Sequence, residues 1–257
     1  MGTLVRQELF KLTKKKSTIA VSVLLVAYMV IFLIFVRENQ NIIDPPSVVS
    51  QLGGGLSWSV FVMIAAASTM IAMESQYGTL KDLLYRTYSR NQVLASKWIT
   101  LFLYSIYLYL LIFVTNICLK FILFPDISLS DKLEGSSTII ESMGYFMLGN
   151  FIGLWLIISL VLMISCFFNT SAAAISAGII FYFASSILSG LMMMVIEKWN
   201  WLKWNPINML NLPNQIDSES VMIDFTHLTT DELIIGNIVY IILFLGLGLL
   251  VFRRKNV

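Results

Sequence analysis

Charge is what this chain has least of. Only 12% of its 257 residues are charged and 58% are apolar, about half the charged share usual in a soluble domain. Six long runs contain no Asp, Glu, Lys, Arg or His at all: residues 17–36, 55–73, 98–119, 143–168, 171–196 and 233–252. With no acid inside them, nothing suggests a proton relay or an ion-coupled carrier. The single histidine, His227, sits in "DFTHLTT" and reads as a solvated loop residue, so neither a histidine metal cluster nor a Ser-His pair is available. No G-x-x-x-x-G-K-[ST] string occurs, and the glycines at 53–55 lack the lysine and following helix of a phosphate cradle. The chain is therefore expected to bind no cofactor and to hydrolyse no ATP by itself. Of the two cysteines, Cys118 falls near the outer end of the third run and Cys166 near the inner end of the fourth, too far apart for a disulfide.

What is present is membrane-spanning length. Each run falls close to the roughly 17 to 25 residues that cross a hydrocarbon core as a helix. None alternates apolar with polar as a barrel strand would. Six spans put both termini on one side, and that side carries 12 of the 17 basic residues but only Glu8, Glu74 and Asp82 of the acids. The excess of +9 there against −7 opposite places both ends in the cytoplasm. A basic inner face of this origin is no sign of nucleic-acid binding. The first run is too long for a signal-peptide core and lacks a small-residue cleavage site, so it is expected to be retained. Residues 1–257 read as one transmembrane domain.

Two inner-side segments are amphipathic. In "LVRQELFKLTKKK", from residue 4 to 16, Leu4, Val5, Leu9 and Leu12 share one helical arc, with Arg6, Lys11 and Lys14 elsewhere. Such a helix is expected to lie in the inner headgroup layer and turn into the first span. Between the second and third runs lies "ESQYGTLKDLLYRTYSRNQVLASK", with four basic and two acidic residues. There Leu80, Leu83 and Leu84 form an apolar stripe beside Lys81, Asp82 and Arg86, predicting a short helix that starts near Gly78. Ser89 opens an S-x-x-Q capping box with Gln92, so a second helix starts there and continues through Lys97 into the third span. A half-apolar, half-basic elbow of this kind suits a docking face for a soluble partner.

Glu74, Gly78, Thr79 and Leu80, followed by Ser89, Arg90 and Lys97, resemble the loop between the second and third spans of ABC-2-type permeases. The basic-amphipathic "RQELFKL" before the first span and the Pro-centred "WNPINML" at 204–210 are similar to segments of that family too. The chain departs from it at Thr87-Tyr88, where the family more often has a proline. The resemblance implies an all-α polytopic membrane protein: six transmembrane helices, an N-terminal amphipathic interfacial helix (Arg6, Glu8, Leu9, Leu12) and a cytoplasmic coupling helix. It also implies two paired permeases, identical or homologous, each gripped by a separate ATP-binding subunit that carries the ATP and magnesium. The docking residues would be Glu74, Gly78, Thr79, Leu80, Leu83, Leu84, Arg86, Ser89 and Arg90. A path along the second and fifth spans would include Ser185, Ser189 and Met193.

In the fifth span Ala174 with Gly178, and Ser186 with Gly190, are small-xxx-small pairs that permit close helix approach. The outer segment 197–232 is long for a loop, and Trp199, Trp201 and Trp204 beside Lys198 and Lys203 suit an aromatic layer at the outer interface, or a cargo contact. These readings converge on the permease subunit of a bacterial exporter in the inner or plasma membrane, moving an amphipathic peptide, antibiotic or lipid-like cargo. The alternative is a membrane sensor or assembly module whose inner loop docks another protein. An intramembrane enzyme is disfavoured by the missing acid, base and metal groups. The topology is checked by cysteine labelling in a cysteine-free background: Ser137→Cys reacts with an impermeant thiol reagent outside intact cells and Gln76→Cys does not. The opposite pattern would invert the assignment.

Overall fold

A computed structural model of the protein describes residues 1–78, 88–133 and 138–254, and the described residues are helical with no strand. The short helix expected at Leu80–Leu84, and Ser137, lie outside them. The N-terminal amphipathic segment is a helix, α1 (Gly2–Lys14), joined through Lys15 to α2 (Lys16–Glu38). Short α3 (Pro45–Ser50) leads to α4 (Gly55–Gln76), and α5 (Arg90–Leu123), α6 (Ile139–Ser165) and α7 (Ser171–Lys198) follow. An outer segment of short helices, α8 (Pro206–Met209), α9 (Leu212–Asp217) and α10 (Glu219–Thr226), precedes the last long helix, α11 (Thr230–Arg254). Six of these, α2, α4, α5, α6, α7 and α11, are long and apolar enough to cross a membrane. The protein is an all-α, multi-pass membrane protein.

The helix starts follow local chemistry. The box at Ser89 forms as the sequence predicts: the Gln92 amide donates to Ser89 Oγ at 3.3 Å and the Ser89 amide donates to Gln92 Oε1 at 3.0 Å. Two further boxes, Thr138 with Glu141 and Thr229 with Glu232, open α6 and α11. At 53–55 the glycines have a backbone reason. Gly53 and Gly54 take φ of +57° and +68°, and a Cβ on Gly55 would come within 3.0 Å of Ile112 and Met29. The chain thus turns tightly while pressed between α2 and α5.

Burial is unequal, and that positions everything else. The most apolar stretch of α6 is 61% buried and that of α4 is 50% buried, against 17–28% for the other four spans. Along α6 every residue from Leu154 to Leu162 is buried. The remaining spans pack round this pair and turn large apolar faces outward, for example Ile180, Ile187 and Met194 of α7. Outward apolar faces are what lipid accepts and water does not.

α7 meets α4 through small residues. Ala174 is fully buried and its carbonyl accepts from Ser68 Oγ at 3.2 Å. A Cβ on Gly178 would lie 2.7 Å from Ile64 Cγ2 and 3.3 Å from Val161. The second pair, Ser186 and Gly190, faces outward and nothing lies within 4 Å of a Cβ on Gly190. Gly178→Val therefore overpacks a close contact and lowers stability by ~1–3 kcal/mol, whereas Gly190→Val leaves it nearly unchanged. Unfolding of both variants in mixed micelles checks this; equal effects would contradict the packing.

Candidate functional site

At the end of the bundle expected to face the cytoplasm, called inner here with the opposite end called outer, α1, α4 and α5 meet around one buried cation. Lys97, eight residues into the α5 helix, is 1% exposed. Its Nζ lies 2.7 Å from Glu74 Oε1, near the end of α4, and 3.3 Å from Glu8 Oε2 on α1. Glu74 is 7% and Glu8 8% exposed, and Lys11 Nζ closes the cluster at 2.7 Å from Glu8 Oε1. An ammonium so withdrawn from water is tolerable only when paired. The two carboxylates come from different helices, so satisfying Lys97 fixes α1 against α4 and α5 at once.

The apolar arc of α1 explains how Glu8 arrives there. Leu4 is buried, Val5, Leu9 and Leu12 are half-buried, and Arg6 is exposed. The arc packs onto protein, with α1 lying along α5 and α2 and Leu12 joining the main core. Glu8 falls on the same inward face. Burial pushes its carboxyl up, but Lys97 and Lys11 outweigh that and hold it below its ordinary value of 4.5.

Other ties converge on the same end. Gln76 Oε1 accepts from the Ser171 amide at 3.0 Å and from its hydroxyl at 2.9 Å, capping α7. The Arg90 guanidinium donates to the Arg253 carbonyl at 2.7 Å, and Arg253 Nε donates to Asn91 Oδ1 at 2.7 Å, so the C-terminus of α11 is pinned to the start of α5. The exit of α4 is thereby fastened to α1, α5 and α7 in its last three residues. Gly78, just beyond, takes φ of +67° as the chain turns away. Ser89 receives the chain again as the N-cap of α5. Thr79, Leu80, Leu83, Leu84 and Arg86 lie outside the described residues.

Beside the cluster a cavity of about 750 Å³ opens among α1, α2 and α4. Lys11, Lys14 and Lys15 stand on its polar side, and Val21, Val62, Ala66 and Met70 on its apolar wall. The residues expected along a path are placed differently. Ser185 bonds back to the Tyr182 carbonyl at 2.8 Å, and Ser189 Oγ donates to Asn211 Oδ1 at 2.7 Å. Met193 falls one turn further along α7.

Ser189 thus reaches a network that sequence reasoning missed. The outer segment folds back among α6, α7 and α11 and buries Asn208, Asn211, Gln215 and Thr226. Asn208 Nδ2 donates to the Lys203 and Thr226 carbonyls, Thr226 Oγ1 donates to Gln215 Oε1, and Asn237 Nδ2 on α11 donates to the Met209 carbonyl. These amides serve as partners for backbone groups that the short helices leave unpaired. Trp199, Trp201 and Trp204 are exposed. His227, also exposed, takes φ of +55° as the C-cap of α10.

The family described as "Protein of unknown function (DUF2705)" matches residues 26–257. The chain is also similar to "Uncharacterized protein YhcI" of Bacillus subtilis (strain 168), 26% identical over 208 residues. That match covers 77% of this chain and 64% of YhcI, so the chain spans less than two thirds of that relative's length.

Lys97→Met strands two buried carboxylates and lowers stability by ~3–5 kcal/mol, and adding Glu74→Gln recovers part of the loss. Lys11→Met, at an exposed ammonium, lowers it by less than ~1 kcal/mol. Unfolding in mixed micelles measures all three, and equal effects of Lys97→Met and Lys11→Met would contradict the cluster. Because the pKa of Glu8 is lower with α1 docked than with α1 released, its contribution is complete above about pH 4.5 and is lost as pH falls through the docked value. Proteolysis of α1 speeds up in that acid window, and Glu8→Gln removes the pH dependence by leaving α1 as susceptible at neutral pH as the wild type is in acid.

Proposed function

The chain belongs to the DUF2705 family, and from the geometry of its inner end we propose that it is the permease subunit of an ATP-driven exporter. Two such subunits, identical or homologous, pair in the membrane, and each is gripped by a separate ATP-binding subunit. The observation that carries this reading is the fastening of the α4 exit. Residues 79–87 leave from Gly78 and return at Tyr88, and the helices on both sides of that segment are locked together by Lys97, Glu74 and Glu8. The Gln76–Ser171 bonds add α7 to the same body. A force applied to the intervening segment is delivered to α1, α4, α5 and α7 rather than dissipated in a loose loop.

The apolar stripe of Leu80, Leu83 and Leu84 is the docking face in this reading, with Lys81 and Arg86 around it. ATP chemistry belongs to the partner. The cargo is amphipathic or hydrophobic, a peptide, antibiotic or lipid-like molecule, in keeping with spans that carry no charge in their central stretches. Ser186 and Gly190, facing outward on α7, allow close approach of a second permease.

Leu84→Glu tests the docking. Removing an apolar contact worth ~1.5–3 kcal/mol and adding a charge weakens capture of the ATP-binding subunit at least tenfold, since ~1.4 kcal/mol is one decade. Asp82→Ala has a milder effect, as an exposed charge does. Isolation of the chain from its native membrane with vanadate-sensitive ATPase activity, stripped by Leu84→Glu along with export, is the expected result. Full retention of ATPase and export by Leu84→Glu removes the docking face, and isolation without any ATP-binding protein favours the sensor or assembly module.

A further inference from the structure

The cavity among α1, α2 and α4 has an unbalanced charge. Lys97 and Lys11 are paired with Glu74 and Glu8. Lys14 and Lys15 line the same cavity, and no carboxylate of the described residues pairs with either. Lys14 ends α1 and Lys15 joins it to α2. Ser17 and Thr18 add hydroxyls to the lining.

Two further features restrict what the anion belongs to. The far wall is apolar and runs along α4 from Met70 to Val62, with Val21 of α2 opposite. It is suited to a hydrocarbon chain, and the volume of about 750 Å³ is that of a ligand site. Glu74, also lining the cavity, is only 7% exposed, and its Oε2 has no hydrogen-bond partner. A buried acceptor left without a donor is unfavourable, and a hydroxyl in the occupant supplies the missing donor after a small turn of the carboxylate.

We propose that this cavity is a binding site for an anionic glycerophospholipid of the inner leaflet with a hydroxylated head group, of which phosphatidylglycerol is the simplest. The phosphate sits against Lys14, Lys15 and the first turn of α2, the head-group hydroxyls reach towards Glu74, and one acyl chain lies along Val62, Ala66 and Met70. Bound there, the lipid packs α1 and α2 against α4, next to the charge cluster. This inference requires only the membrane-spanning fold and stands independently of the exporter reading.

The test uses the purified full chain, delipidated in detergent, with binding of phosphatidylglycerol or phosphatidylcholine followed by native mass spectrometry. Phosphatidylglycerol is retained at least tenfold more tightly. The double variant Lys14→Gln, Lys15→Gln removes that preference. Ala66→Trp, which fills the apolar wall and leaves every charge in place, weakens phosphatidylglycerol at least tenfold, and Met70→Trp repeats the test from the same wall should Ala66→Trp fail to fold. Glycerol phosphate at millimolar concentration does not compete. Equal retention of the two lipids overturns the proposal. So does indifference to both wall-filling variants, which would leave only attraction to a basic surface, and so does full displacement by glycerol phosphate, which would mark a free-phosphate site.

Discussion

The inner end of this protein depends on one ammonium group that has no access to water. Lys97 is carried into the protein because α5 is continuous from Ser89 and the helix phase turns that position inward. Once there it must be neutralised, and neutralising it requires Glu8 and Glu74 to arrive from two other helices. The desolvation of three charged groups offsets much of their attraction. The cluster is therefore better understood as a device for fixing relative positions than as a source of stability. α1 cannot slide along α5, and α4 cannot unwind at its inner end, without exposing a charge to a low-dielectric surrounding.

The two halves of the bundle use different chemistry for similar ends. On the inner side, charges and helix caps tie neighbouring spans together around the point where the chain leaves α4. On the outer side the ties are neutral amides, with Asn208, Gln215 and Asn237 holding short helices that dip back among α6, α7 and α11. Between them, α4 and α6 pack by apolar contact, and α7 approaches both closely at Gly178.

The sequence reveals the number of spans and the cap at Ser89, because each follows from a local rule: length of apolar run or an S-x-x-Q spacing. It does not reveal which span is central. All six are apolar around their full circumference, and lipid provides no contrast between a face that packs and a face that does not. For the same reason the folded outer segment was invisible: its asparagines and glutamine read as loop residues until the short helices they satisfy are seen. The cluster was half legible. Glu8, Glu74 and Lys97 all stood in segments singled out for their composition, but nothing in sequence spacing brings residues 23 to 89 positions apart to one point. The spacing of the two thread-like boxes at Thr138 and Thr229 was readable and adds helix starts that the apolar runs alone placed late.

The central claim is that the inner ends of α1 and α4 move as one body with the segment that leaves α4. A spin-label pair at Thr3 and Tyr77, both exposed, measures it by pulsed electron resonance in the complex with the proposed ATP-binding subunit. The account predicts a single narrow distance that is the same without nucleotide and with nucleotide trapped, and that broadens in Lys97→Met. A wild-type distance that changes between the two states, or a Lys97→Met distribution as narrow as the wild type, would contradict it.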